Sequence, residues 1–209
     1  MYLREPLAML VRLKRLVEGW LTGVAKRLLN LGLKANQATV FGFILAVASA
    51  LLFYLGLGSW PLTVAASLLL LCSGLFDALD GVMARLSGGG TRLGSLLDSV
   101  LDRYADGMVI VGITLAYSGL SLLGVPMVFW GSAALLGSLL VSYVRAKGES
   151  LGLSLAGVGL AERPERILIL AGSGLLGRPD VGLLLVAFAS NLTALQRFGS
   201  LLARLRGHG

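Results

Sequence analysis

The sequence predicts an all-α integral membrane protein, with six transmembrane helices preceded by an amphipathic helix lying along the interface. Three observations carry this. Of 209 residues, 56% are hydrophobic and 14% charged, with a mean hydropathy of +0.84, a balance no ordinary soluble domain has. Six apolar segments follow one another, each near the roughly 20 residues that cross hydrocarbon. The basic residues flank these segments, so the net charge of +7 suits anionic lipid headgroups better than nucleic acid.

The first stretch, residues 1 to about 30, carries charges throughout and is therefore not a cleavable signal peptide. Leu10, Leu13, Val17, Trp20, Val24 and Leu28 recur at three- and four-residue steps, while Arg12, Arg15, Gly19, Thr22 and Lys26 share another face. A basic amphipathic helix with a tryptophan belongs at the membrane surface, and its apolar stripe can also pack on a bundle. The apolar segments are 38–56, 62–84, 94–118, 125–147, 161–177 and 181–203. Fourteen of the 29 glycines fall inside them, where small residues let helices approach closely. The chain thus divides into an interfacial helix, 1–36, and a six-helix membrane domain, 37–209, with no internal repeat. Cys72 lies in an apolar run and reads as a small buried hydrophobe; His208 is assigned no role.

Seventeen of the 18 lysines and arginines fall before residue 38 or around alternate connections, leaving Arg178 alone on the other side. This asymmetry places both termini in the cytoplasm and predicts a multi-pass protein of the cell membrane.

The second and third segments carry Asp77, Asp80, Asp98 and Asp102 near that cytoplasmic face. On a helix, residues three apart lie about 60° from one another and residues four apart about 40°, so each pair shares a face. Gly81, Ala84 and Gly94 sit four residues from Asp77, Asp80 and Asp98, leaving room for a bulky ligand against the backbone. Carboxylates at membrane depth are expensive and mark function. Helix capping, or pairing with Arg85, Arg92 or Arg103, explains one such acid but not four at this spacing. A hard divalent ion with oxygen ligands does, and two such ions can neutralise a pyrophosphate. Magnesium is the first choice, with manganese as the alternative. Asp106 continues the row on a rotated face and reads as a structural partner for a basic residue.

The stretch also resembles the signature of the CDP-alcohol phosphotransferase (CDP-alcohol phosphatidyltransferase) family, D-x2-D-G-x2-A-R-x8-G-x3-D-x3-D. Asp77, Asp80, Gly81, Ala84, Arg85, Gly94, Asp98 and Asp102 fill every fixed position. The resemblance implies transfer of a phosphatidyl-type group from a CDP-linked lipid to an alcohol, with release of CMP. It implies that Asp77, Asp80 and Asp98 ligate metal, and that Asp102 is the general base and also touches metal. Asp80, Gly81, Ala84, Arg85 and Gly94 then hold the CDP group. Asn36 and Thr39 match the family's segment before its first span, although Ala35 stands where proline is common. Asn36 as a nucleotide contact and Asn36 as a helix cap remain equal readings.

Three further segments, 142–152, 159–166 and 191–197, place cations at the ends of the last three helices. They resemble the inositol-phosphate branch of the family, the bacterial phosphatidylinositol-phosphate and archaeal archaetidylinositol-phosphate synthases. By position Arg145, Arg163 and Arg197 hold the acceptor's phosphate, while Lys147 and Arg166 stay unassigned because the basic pair around Ala146 is exchanged. The expected partners are a CDP-lipid donor, 1-phospho-myo-inositol, membrane lipids and a second copy in a homodimer. Glycerol 3-phosphate, serine and free inositol are the alternative acceptors. A divalent-cation transporter is the alternative from another class. Against it, all four acids lie near one face, with none in the opposite half of the first, fourth or fifth segment.

Overall fold

The computed structural model describes residues 5–155 and 157–206, with side chains from Glu18 onward. Among these are seven helices: α1 Glu5–Asn30, α2 Ala35–Leu55, α3 Trp60–Leu86, α4 Arg92–Ala116, α5 Met127–Ser150, α6 Arg163–Leu175 and α7 Pro179–Arg206. A small antiparallel hairpin, β1 Ser121–Leu122 and β2 Val125–Pro126, joins α4 to α5.

Local chemistry sets the breaks. Gly32, with φ of +83°, closes α1, and the Lys34 N–H donates to Gln37 Oε1 at the start of α2. Ser59 precedes α3, and Pro61 in its first turn needs no amide partner there. The left-handed Gly88 and Gly89 turn the chain between α3 and α4, where the Thr91 hydroxyl accepts from Gly94 N–H at 2.9 Å. At α6, Glu162 is the N-cap and Pro164 lies in the first turn.

Each expected apolar segment overlaps one of α2 to α7, and among the described residues α2, α3, α5 and α7 are both long and apolar enough to span a membrane. Four of the six expected spans thus meet both criteria. α4 is long enough, but Asp98, Asp102, Arg103 and Asp106 make its first half polar. α6 has 13 residues, or about 20 Å of helix, because Glu162 and Pro164 delay its start.

The packing order is α2, α3, α6, α7, α5, α4 and back to α2, so these six helices close into a ring around one core. Phe53, Leu70, Val109, Ile113, Leu183 and Val186 are buried in it. The outside is apolar, with Leu51, Leu68, Leu136, Leu185 and Phe188 exposed, as a lipid-facing surface requires. Close approach depends on glycine where α4 meets α2. A Cβ on Gly112 would lie 2.4 Å from the Ala50 carbonyl oxygen. α1 lies against α3, where Val24 and Leu28 join Leu79 and Met83 in a second cluster, while Trp20 is exposed. The rest of the expected stripe and basic face (Leu10, Leu13, Val17, Arg12 and Arg15) and His208 lie outside the described side chains.

Candidate active site and metal centre

Asp77 and Asp80 project from the last turns of α3, and Asp98, Asp102 and Asp106 from the first half of α4. Packing brings Asp77, Asp98 and Asp102 together, with one carboxylate oxygen of each within 4.8 Å of the others. Asp80 is buried beside Thr39 and is not one of that trio. Asp80 Oδ2 and Asp98 Oδ1 are buried without a hydrogen-bond partner. An orphaned buried carboxylate oxygen is costly, and a hard cation removes that cost. The all-oxygen donor set therefore fits a divalent ion such as magnesium or manganese.

Among the described residues, Arg85, Arg92 and Arg103 form no ion pair with these acids. Arg103 donates to the Ser99 carbonyl oxygen of its own helix. The partners come instead from α6. Arg163 Nη1 lies 2.5 Å from Asp77 Oδ1 and 2.9 Å from Asp102 Oδ1, and its Nε lies 3.3 Å from Asp106 Oδ1. Arg166 Nη2 pairs with Asp106 Oδ2, and its Nη1 donates to the Ala161 carbonyl. Asp106 thus partners two basic residues, as its place outside the motif suggests.

Two cavities meet at this cluster, and Asp98 lines both. The first, about 450 Å³, lies between α2, α3 and α4 and is bordered by Asn36, Thr39, Asp80, Gly81, Ala84 and Gly94. Asn36 is not the cap of α2, because Lys34 holds that position. Its side chain points at α4, where a Cβ on Gly94 would lie 2.8 Å from Asn36 Oδ1. Arg85 folds back toward Gly81, its Nη1 3.6 Å from where a Cβ would stand. Ser87, Gly89, Gly90 and Thr91 also line this cavity, and sequence reasoning passed over them as spacer. The run of three glycines, Gly88 to Gly90, was the available signal that backbone approaches a ligand there.

The second cavity, about 330 Å³, lies between α4, α5, α6 and α7. Arg145, Arg163 and Arg197 all face it. Arg145 pairs with Glu149 one turn on, an exposed contact of little strength. Arg197 is only 2% exposed and holds the connection before α6. It donates to the Val158 carbonyl at 2.8 Å, the Val141 carbonyl at 3.0 Å and Glu162 Oε1 at 2.5 Å. Thr193 Oγ1 accepts from Leu160 N–H and Ala161 N–H in the same connection.

An acid cluster between a small-residue cavity and an arginine-lined one is what transfer between a nucleotide-linked donor and an anionic acceptor needs. Comparison with known proteins agrees. Residues 33–196 match the CDP-alcohol phosphatidyltransferase family. The chain belongs to that family.

This CDP-alcohol phosphatidyltransferase is 34% identical over 191 residues to the archaetidylinositol phosphate synthase of Pyrococcus horikoshii, covering 90% of this chain and 94% of that one. It is 38% identical over 186 residues to the phosphatidylinositol phosphate synthase of Mycobacterium tuberculosis, covering 84% and 82%. A crystal structure of the latter enzyme with CDP-DAG bound superposes with a TM-score of 0.73 at 34% identity, covering 87% of this chain and 92% of that one. Another, in complex with manganese and citrate, gives 0.71. The CDP-alcohol phosphatidyltransferase described here is therefore a multi-pass membrane transferase of phospholipid synthesis, related to the inositol-phosphate synthases.

Proposed function

We propose that the protein transfers a phosphatidyl-type group, diacylglycerol- or archaeol-based, from a CDP-lipid to 1-phospho-myo-inositol, releasing CMP. The observation that carries this reading is the place of Asp98, on the wall of both cavities and inside the three-carboxylate cluster. A donor seated in the first cavity and an anionic acceptor in the second would meet there. The relatives named as archaetidylinositol and phosphatidylinositol phosphate synthases support the acceptor.

On this reading Asp77, Asp80, Asp98 and Asp102 hold two divalent ions, which supply charge neutralisation of the pyrophosphate. Asn36, Thr39, Asp80, Gly81, Ala84, Arg85 and Gly94 seat the CDP group. Gly81 and Gly94 present bare backbone, while Arg85 contributes a cation. Arg145, Arg163 and Arg197 receive the acceptor's phosphate. The terminal nitrogens of Arg197 each keep one further N–H beyond the loop contacts. Asp102, at the cluster and on the wall of the acceptor cavity, takes the proton of the attacking inositol hydroxyl. The new O–P bond forms at the lipid-linked phosphorus as its bond to the CMP oxygen breaks, in line.

The same reading gives the domain arrangement: residues 1–36 at the interface, and α2 to α7 as six membrane segments. In that arrangement α4 crosses with its polar half at the cytoplasmic face, and the short α6 is extended by the preceding connection. The cluster then opens to the cytoplasm, and the protein works as a homodimer.

The test is a panel on the purified full chain in detergent with Mg²⁺ or Mn²⁺. Ester- and ether-linked CDP-lipids are combined with inositol 1-phosphate, glycerol 3-phosphate, serine and inositol, and CMP and the lipid product are measured. Metal-dependent CMP release that requires inositol 1-phosphate is expected. Preference for serine or free inositol would remove the phosphate role from Arg145, Arg163 and Arg197, and metal flux into sealed vesicles without CMP would overturn the transferase reading.

A further inference from the structure

Among the arginines on the acceptor cavity, Arg163 alone is held by carboxylates of the metal cluster. Its Nη1 lies 2.5 Å from Asp77 Oδ1 and 2.9 Å from Asp102 Oδ1, ion pairs to two of the three clustered carboxylates. Its Nε, by contrast, donates to Asp106 Oδ1, which lies outside the cluster. Arg166 and Arg197 have fixed scaffold partners in Asp106, in Glu162 and in backbone carbonyls. Arg163 is thus anchored at one end by a structural acid and at the other by groups a divalent ion also wants.

The cavity is also charge-balanced. Five carboxylates and five arginines line it, so formally it offers a phosphate dianion no net attraction. A divalent ion on Asp77 and Asp102 changes both quantities together. It adds positive charge beside the cavity, and it competes for the oxygens that hold the Arg163 head.

We propose that Arg163 is an exchangeable counter-ion. A divalent metal takes Asp77 and Asp102 from it, and the released guanidinium, still tethered through Nε to Asp106, turns into the adjoining cavity to grip the acceptor's phosphate. The acceptor subsite is therefore completed by the metal, and metal and phosphate bind with positive coupling. No covalent step is involved. This rests on the proposed function only for the acceptor's phosphate; the metal–arginine exchange stands on the cluster geometry.

The test measures Mn²⁺ binding by electron paramagnetic resonance and inorganic phosphate binding by calorimetry, each with and without the other, on the full chain in detergent without donor lipid. In the wild-type protein saturating Mn²⁺ should tighten phosphate binding by on the order of tenfold, and phosphate should tighten Mn²⁺ binding by the same factor. Arg163→Gln should bind Mn²⁺ alone more tightly than wild type, since its competitor is gone, and the coupling should fall below about threefold. Should that variant fail to fold, Arg163→Lys keeps the charge, so Mn²⁺ binding alone should match wild type while coupling drops for want of a forked grip. Phosphate affinity independent of Mn²⁺, wild-type coupling in either variant, or weaker Mn²⁺ binding by Arg163→Gln would overturn the exchange. The two proposals fail separately. If the acceptor panel names glycerol 3-phosphate, the exchange survives. If the panel confirms inositol 1-phosphate but phosphate and Mn²⁺ bind independently, the exchange alone falls.

Discussion

Arg197→Met tests whether an arginine assigned to a phosphate also holds the scaffold. The wild-type side chain is 2% exposed, and its three nitrogen types engage the Val158 carbonyl, the Val141 carbonyl and Glu162. Methionine fills much of the aliphatic volume but donates nothing, so the Val158 carbonyl and Glu162 Oε1 lose this donor, while the Val141 carbonyl, inside α5, keeps its helical N–H. A buried acceptor left unpaired costs about 1–3 kcal/mol, which puts the loss near ~3 kcal/mol after partial relaxation and hydration. For a chain of this size each kcal/mol moves the midpoint by about 2–4 °C, giving a fall of roughly 6–12 °C. The measurement is thermal unfolding in detergent followed by tryptophan emission, with no metal or substrate present. Limited proteolysis of the 151–162 connection should accelerate in the same variant. A melting point within about 2 °C of wild type, beside a raised acceptor KM, would refute the scaffold role and leave phosphate binding alone.

Three other substitutions separate the parts of the site. Gly94→Ala brings a Cβ to 2.8 Å from Asn36 Oδ1 and 3.1 Å from Thr91 Oγ1. It should raise the donor KM about tenfold with stability changed by no more than about 1 kcal/mol, the helix-propensity difference between the residues, and initial rates against CDP-lipid measure it. Gly112→Ala drives a methyl to 2.4 Å from the Ala50 carbonyl oxygen, a backbone atom that no rotamer change relieves. Overpacking of about 1–3 kcal/mol should outweigh any gain in helix propensity and lower the thermal midpoint. Asp102→Asn should slow CMP release by about 10²–10⁴-fold, and release at the wild-type rate would remove Asp102 as the base.

The parts of this molecule legible in its sequence are those written in local spacing. Hydropathy marked the six helices of the ring, and steps of three and four placed Asp77 with Asp80 and Asp98 with Asp102 on shared faces. Turn chemistry reached less far. Glu162 and Pro164 set the start of α6 and leave it 13 residues long, whereas a hydropathy window runs on through 161. Side-chain pairing was least legible, because it joins residues remote in the chain. The three partners of Arg197 lie 35 to 56 positions away, and Arg163 meets its carboxylates across three helices. A count of cations at the ends of helices therefore measures how much positive charge is present, not how much is free. Here the structure places those charges on the connection before α6, on Asp106 and on the acid cluster itself. In the exchange proposed above, the affinity of the second cavity for an anion follows from which carboxylates the metal removes from the arginines, and not from the number of arginines.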